Sequence, residues 1–129
     1  MRRITLSNVR FTATAAPLAC TAFRHLSSFS GSADDFTKKM AAGSTIVDFY
    51  TEWCGPCKAV APTFEKLSKE YEGKVNFLKV NVEEHEEVGA MHDIRSIPTF
   101  VGFRDGKMIG RIEGADITQV QNLLKTLSE

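Results

Sequence analysis

Cys54-Gly-Pro-Cys57 stands between two runs of different character. Before it lies Thr45-Ile-Val-Asp-Phe-Tyr50, β-branched and aromatic, which reads as a short buried strand carrying one misplaced charge, Asp48. After it, Val60, Phe64, Leu67 and Tyr71 recur at helical spacing, with Pro62 inside the run and Gly73 beyond it. The spacing predicts a helix that Pro62 kinks and Gly73 ends. Two thiols thus fall where a strand gives way to a helix.

That position supplies chemistry. Cys54 at the start of the helix meets unpaired N–H groups and the positive end of the helix dipole, which favour an anion. Its pKa is expected below the free value of about 8.5, so that thiolate exists near neutral pH. Cys57 lies one turn further, on the same face and within bonding distance. Pro56 suits an early helical position, where its missing N–H is not needed, and stiffens the link between the sulfurs. The only other cysteine, Cys20, lies in a segment of separate character. Half of a zinc site is a competing reading of a C-x-x-C pair, but zinc needs four ligands, and His85 and His92 stand far along the chain with no ligand spacing; no metal is expected. A purely structural disulfide closing so small a loop would constrain the unfolded chain little.

The remaining sequence predicts alternating elements. Ser32-Ala-Asp-Asp35 is a helix start, with a hydroxyl cap and acids in the first turn, running to about Ala42 and stopping at Gly43. Val75–Val80 is a second long strand, Glu83–Met91 a short acidic helix and Ile97–Phe103 a third strand. Asp105-Gly106 signals a hairpin turn into Met108–Glu113, and Asp116–Leu127 closes as a helix with Val120, Leu123, Leu124 and Leu127 on one face. A small strand at Leu26–Phe29 precedes them all. Strands alternating with helices imply a parallel portion, and the hairpin makes the sheet mixed.

Formal net charge is +0 over 129 residues, which gives no global pull toward nucleic acid or anionic lipid. The balance hides an asymmetry. Residues 1–30 hold Arg2, Arg3, Arg10 and Arg24 and no acid, leaving 12 basic against 16 acidic residues in 31–129. Eight of those thirty residues are Ser or Thr, and Ala13–Cys20, the nearest approach to an apolar core, is interrupted by Thr14 and Pro17. A basic, acid-free segment able to form a modest amphipathic helix fits a mitochondrial transit peptide better than a secretory signal. Residues 1–26 are expected to direct the chain to the mitochondrial matrix and to be cleaved near Leu26, leaving 27–129 as one domain. Without that signal the chain would be cytoplasmic.

Val47-Asp-Phe-Tyr-Thr-Glu-Trp-Cys-Gly-Pro-Cys-Lys58, followed by Ala61-Pro62, resembles the active-site stretch of the thioredoxin family. Ile97-Pro98-Thr99 resembles that family's cis-proline loop, and Gly114-Ala115 its third substrate-facing loop. The resemblance spans about residues 27–129, with every segment in family order. It implies a thioredoxin fold, a central mixed β-sheet flanked by helices on both faces. It also implies Cys54 as the attacking thiol, Cys57 as the resolving thiol, and Asp48 as a buried carboxylate near the resolving cysteine. Desolvation would raise the pKa of such a carboxyl and let it exchange a proton near neutrality. Lys79 matches the family's lysine near that acid, with an ordinary strand lysine as the competing reading. Pro98 would be preceded by a cis bond, and Trp53, Gly55, Ile97, Pro98, Gly114 and Ala115 would form an apolar docking surface. Tyr50 stands where bacterial members often have tryptophan. The acidic run Glu83, Glu84, Glu86 and Glu87 reads as a solvated helix start, and His92 as a surface histidine.

The implied function is reduction of protein disulfides by dithiol–disulfide exchange. No nucleotide-binding motif is present, so NADPH and flavin would belong to a separate thioredoxin reductase-like enzyme. Peroxiredoxins are clients by family analogy, and a monomer without nucleic-acid or membrane partners is expected. Three rivals share the thiol pair. An oxidase or isomerase of the protein-disulfide-isomerase type usually carries His between the cysteines, and a glutaredoxin typically Pro-Tyr; Gly55-Pro56 is neither. A redox-independent binding module could use the same surface.

Overall fold

In the computed structural model, which describes residues 26–129, the elements follow one another as β1 (Ser27–Ser28), α1 (Ala33–Met40), β2 (Ser44–Tyr50), α2 (Gly55–Glu70), β3 (Asn76–Asn81), α3 (Glu86–Met91), β4 (Thr99–Arg104), β5 (Lys107–Glu113) and α4 (Ile117–Leu127). The transit-peptide reading, with Cys20 and the four arginines, lies outside the described residues apart from Leu26. The strands form one sheet in the order β1-β3-β2-β4-β5. β2 is central, parallel to β3 and antiparallel to β4, and the β4–β5 hairpin supplies the second antiparallel pair.

Local chemistry sets several boundaries. Ser32 caps α1 reciprocally: its hydroxyl accepts from the Asp35 N–H at 3.2 Å, and the Asp35 carboxylate accepts from the Ser32 N–H at 2.9 Å. Asp116 caps α4 by accepting from the Gln119 N–H at 3.2 Å. Asp105 and Gly106 both take positive φ, 52° and 88°, as a tight hairpin turn matched to strand twist requires. α2 continues through Pro62 as one helix, so the proline does not divide it.

Side-chain alternation along the strands builds two cores. On one face, Ile46, Phe77, Phe100 and Ile112 pack against Val60, Phe64 and Leu67 of α2 and the apolar side of α4. On the other, Val47, Phe49, Leu78, Val80, Val101 and Phe103 pack against Phe36 and Met40 of α1 and Val88 of α3. Helices therefore cover both faces, α2 and α4 on one and α1 and α3 on the other. Gly102 of β4 lets α4 approach: a Cβ there would lie 3.0 Å from Leu127 and 3.1 Å from Leu123.

Most boundaries differ from the sequence reading by two residues or fewer, as where β4 starts at Thr99 and not at Ile97, and the largest difference is at α3. α3 begins at Glu86, not at Glu83. The Asn81 carboxamide accepts from the Glu83 N–H at 2.9 Å, and its backbone carbonyl accepts from the N–H groups of Glu84 and His85. Those bonds hold residues 82–85 in turns and delay the helix. Only Glu86 and Glu87 of the acidic run stand in its first turn.

Candidate active site

β2 ends at Tyr50 and α2 begins at Gly55, so the cysteines sit at the junction of the central strand and the longest helix of the described residues. Cys54 is the N-cap of α2 in extended conformation, and its Sγ accepts the Cys57 N–H at 3.1 Å. This is one of the orphan donors at the start of a helix. When Cys54 is a thiolate, the same N–H and the helix dipole favour its charge, and no acid in the first turn opposes them. Cys54 and Cys57 are joined as a disulfide with Cα atoms 5.2 Å apart. Both side chains are nearly covered, while Gly55 and Pro56 between them are exposed.

Asp48 lies two residues before the end of β2 and is 1% exposed. Burial raises its carboxyl from an ordinary 3.8 to about 7, against the opposing pull of the Lys79 ammonium. Its Oδ1 has no hydrogen-bond partner among the described residues. A cleft of about 120 Å³ brings Asp48 and Cys57 into one space, with Tyr50, Thr51, Lys58 and Lys79 among its walls. A buried acid that ionises near neutrality thus faces the same cleft as the second cysteine.

Lys79 is the register partner of Asp48 across the β2–β3 ladder. Its ammonium does not end on that acid. It stands over the Tyr50 ring, 4.3 Å from the centroid. Tyr50 and Thr51 are cleft residues to which the sequence reading gave no role. A signal for Tyr50 was present, since a residue two positions beyond Asp48 must share its side of the strand; nothing local marks Thr51.

Sheet register gathers the other segments at the cysteine end. Phe49 of β2 pairs with Thr99 of β4, and Thr99 pairs with Glu113 of β5, so the residues before Thr99 and after Glu113 stand beside the end of β2. The Ile97–Pro98 bond is cis. Gly114, at φ 106°, donates its N–H to the Pro98 carbonyl at 2.8 Å, which ties the two loops together. Pro98 is buried, Ile97 and Gly114 are half-buried, and Ala115 is exposed. Trp53 is the most exposed large apolar side chain described, at 68%, and its indole Nε1–H donates to the Glu83 carboxylate at 2.8 Å. Glu83 therefore anchors an active-site side chain rather than starting a helix.

His92 is half-buried, with one ring nitrogen covered, and not an ordinary surface histidine. Its ring lies among Phe36, Phe49 and Phe103, with centroids 5.2, 6.0 and 5.3 Å away. Burial, with a smaller effect from the Arg111 guanidinium, pushes its pKa below the ordinary value. It closes α3 against the second core, and a single histidine beside Asp93 gave no local sign of this. Among the described residues, no group of three His, Cys, Asp or Glu side chains is placed to hold a metal ion.

With this geometry in place, the chain can be set beside known proteins. The family profile described as thioredoxin matches residues 28–129. A thioredoxin of Staphylococcus aureus is 42% identical over 80 residues, covering 62% of this chain and 77% of that protein. The oxidised mitochondrial thioredoxin 3 of Saccharomyces cerevisiae superposes with a TM-score of 0.74 at 31% identity, over 84% of this chain and 99% of that one. A chain solved in work on thiol resolution in yeast mitochondrial 1-Cys peroxiredoxin via glutathione/thioredoxin systems gives a TM-score of 0.74 at 30% identity, over 82% of this chain and 99% of its own. The chain belongs to the thioredoxin family, and it is a disulfide-reducing oxidoreductase whose Cys54–Cys57 pair suits dithiol–disulfide exchange.

Proposed function

We propose that this member of the thioredoxin family is a general protein-disulfide reductase of the mitochondrial matrix. The Cys54 thiolate attacks one sulfur of a substrate disulfide, forming a mixed disulfide and releasing the first substrate thiolate. Cys57 then passes its proton to the Asp48 carboxylate and attacks the Cys54 sulfur. The Cys54–Cys57 disulfide forms and the second substrate thiolate leaves. The substrate gains two electrons and the domain loses two. The single observation that carries this order is the unequal setting of the two sulfurs: Cys54 caps the helix, while Cys57 shares its cleft with the buried acid.

In this reading Trp53, Gly55, Ile97, Pro98, Gly114 and Ala115 receive an extended substrate segment, and the Ile97 backbone pairs with it. Lys79 limits the rise in the Asp48 pKa. A separate NADPH-dependent reductase of the thioredoxin-reductase kind returns the disulfide to the dithiol, and the chain itself carries no bound cofactor. Peroxiredoxins are the client class favoured by the similarity to the chain solved in the yeast peroxiredoxin work. The acid-free basic segment before Asp34 supports the matrix address.

The test is insulin-disulfide reduction by the full chain, coupled in turn to NADPH-linked thioredoxin reductase and to glutathione with glutathione reductase. Turnover is expected with the first and lost in Cys54→Ser and Cys57→Ser. Turnover with glutathione alone, or a reduction potential in the range of disulfide oxidases, refutes it.

A further inference from the structure

Asp48, Tyr50 and Lys79 present an arrangement that the disulfide chemistry leaves unused. Asp48 and Tyr50 are two apart on β2, and Lys79 is the register neighbour of Asp48 on β3. All three line one cleft with Cys57. The lysine stem can serve either neighbour, a carboxyl that would bind it as an ion pair or an aromatic face that holds it by its quadrupole. The described ion pairs are Arg95–Asp93 and Arg111–Glu113, and neither uses Asp48. The ammonium rests on the ring, and Asp48 Oδ1 keeps no partner.

We propose that Tyr50 is a positioning residue that holds the Lys79 ammonium over its ring, and thereby leaves the Asp48 carboxyl without an ion-pair partner and free to accept the Cys57 proton. The inference rests on the reading of Asp48 as that acceptor. An acid already paired to a cation would be held ionised well below neutrality and would be a poorer base. An acid with no cation nearby would ionise too late. Lys79 on the ring is close enough to moderate Asp48 and is not bonded to it, in keeping with the direction of its influence on the acid.

The other groups around Asp48 support the assignment to Tyr50. From β4 its register partner is Phe100, which offers no charge. From the start of α2 the cleft receives Cys57 and Lys58, and beyond β2 it receives Thr51 and Glu52. Lys58 and Glu52 are exposed, so solvent screens them. Lys79 is the cation whose position most alters the acid, and the Tyr50 ring is what its ammonium rests on.

The experiment titrates Asp48 directly, by carbon-13 NMR of aspartate carboxyls in the oxidised full chain, and follows the pH profile of mixed-disulfide resolution in the reduced one. In Tyr50→Leu the ammonium loses its ring and turns to the acid, so the Asp48 midpoint should fall by about one pH unit or more. The resolution profile should fall with it. Tyr50→Phe and Tyr50→Trp keep an aromatic face and should keep the wild-type midpoint. In Tyr50→Leu with Lys79→Met the drop should vanish. Pentafluorophenylalanine at position 50, whose ring face no longer attracts a cation, should reproduce the Tyr50→Leu drop with the ring volume retained, and it serves if Tyr50→Leu does not fold. An unchanged midpoint without the aromatic face, or a drop that persists without Lys79, overturns the proposal. Asp48→Asn separates it from the reading beneath: wild-type resolution in that variant would end the proton-acceptor role, while the titrations would still decide where Tyr50 holds Lys79.

Discussion

Replacing Asp48 by alanine should make the oxidised chain more stable at neutral pH and less stable in acid. In the disulfide form Cys54 and Cys57 carry no titratable thiol, so the acid can be followed alone. A carboxyl that ionises near 3.8 in the unfolded chain and near 7 in the folded one keeps its proton longer in the native state. Its ionisation therefore costs nothing below the unfolded value, erodes stability as pH rises through the interval, and reaches its full cost above the folded value. Raising the carboxyl from 3.8 to about 7 corresponds to about 4 kcal/mol at full ionisation and about 2 kcal/mol at pH 5. Removing the carboxyl also leaves a small gap, which costs about 1 kcal/mol at every pH. Asp48→Ala should thus be less stable than the parent by about 1 kcal/mol at pH 3.5 and more stable by about 3 kcal/mol at pH 8, crossing between about pH 4 and 5. His92 titrates in both proteins, so its effect cancels in the difference. The assay is urea unfolding of both chains at pH intervals of about half a unit, with stability extrapolated to water. A difference that stays constant between pH 4 and pH 7 would refute the desolvated acid, and a difference that grows toward low pH would reverse its sign.

The two cysteines should trap substrate unequally. Cys57→Ser mixed with a disulfide-bonded client should give a stable adduct through Cys54 by mass spectrometry, and Cys54→Ser should give none; an adduct at Cys57 alone would reverse the assignment. Gly102→Ala should force Leu123 and Leu127 of α4 outward by a few tenths of an ångström and cost about 1–3 kcal/mol in urea unfolding, with adduct formation at Cys54 unchanged. Wild-type stability in that variant would show that α4 yields freely. Residues 1–26 fused to a fluorescent reporter should carry it into mitochondria, and the mature chain should begin near Leu26; cytosolic chain starting at Met1 would refute the targeting reading.

Much of this fold was legible because its decisive signals are local. The Ser32–Asp35 cap, the Asp105-Gly106 turn and the cysteine pair at a strand-to-helix junction each fix their own geometry within a few residues. The burial of Asp48 was legible for a related reason: its neighbours Val47 and Phe49 are apolar and lie in a β-branched run, and the charge among them is indeed covered. His92 and Glu83 were misread because their settings come from afar. His92 is half-buried among rings from α1, β2 and β4, and Glu83 meets the Trp53 indole across 30 positions. The acidic run around Glu83 describes a polar surface and nothing beside His92 names its ring neighbours, so only the closed sheet shows what each residue meets.

The Asp48–Tyr50–Lys79 group marks where legibility stops and why. Alternation along β2 puts Asp48 and Tyr50 on one side from sequence alone. Lys79 joins them only through the parallel β2–β3 register, and no tight turn sets it, because the whole of α2 crosses between the two strands. The register is fixed instead by packing, with Ile46 and Phe77 as neighbours on the α2 side and Val47 and Leu78 on the α1 side. A slip of one residue would turn Lys79 into the second core and bring Leu78 or Val80 toward the cleft, at the cost of every apolar contact on both faces. The two cores therefore place the lysine beside the acid, and there its ammonium stands over the Tyr50 ring.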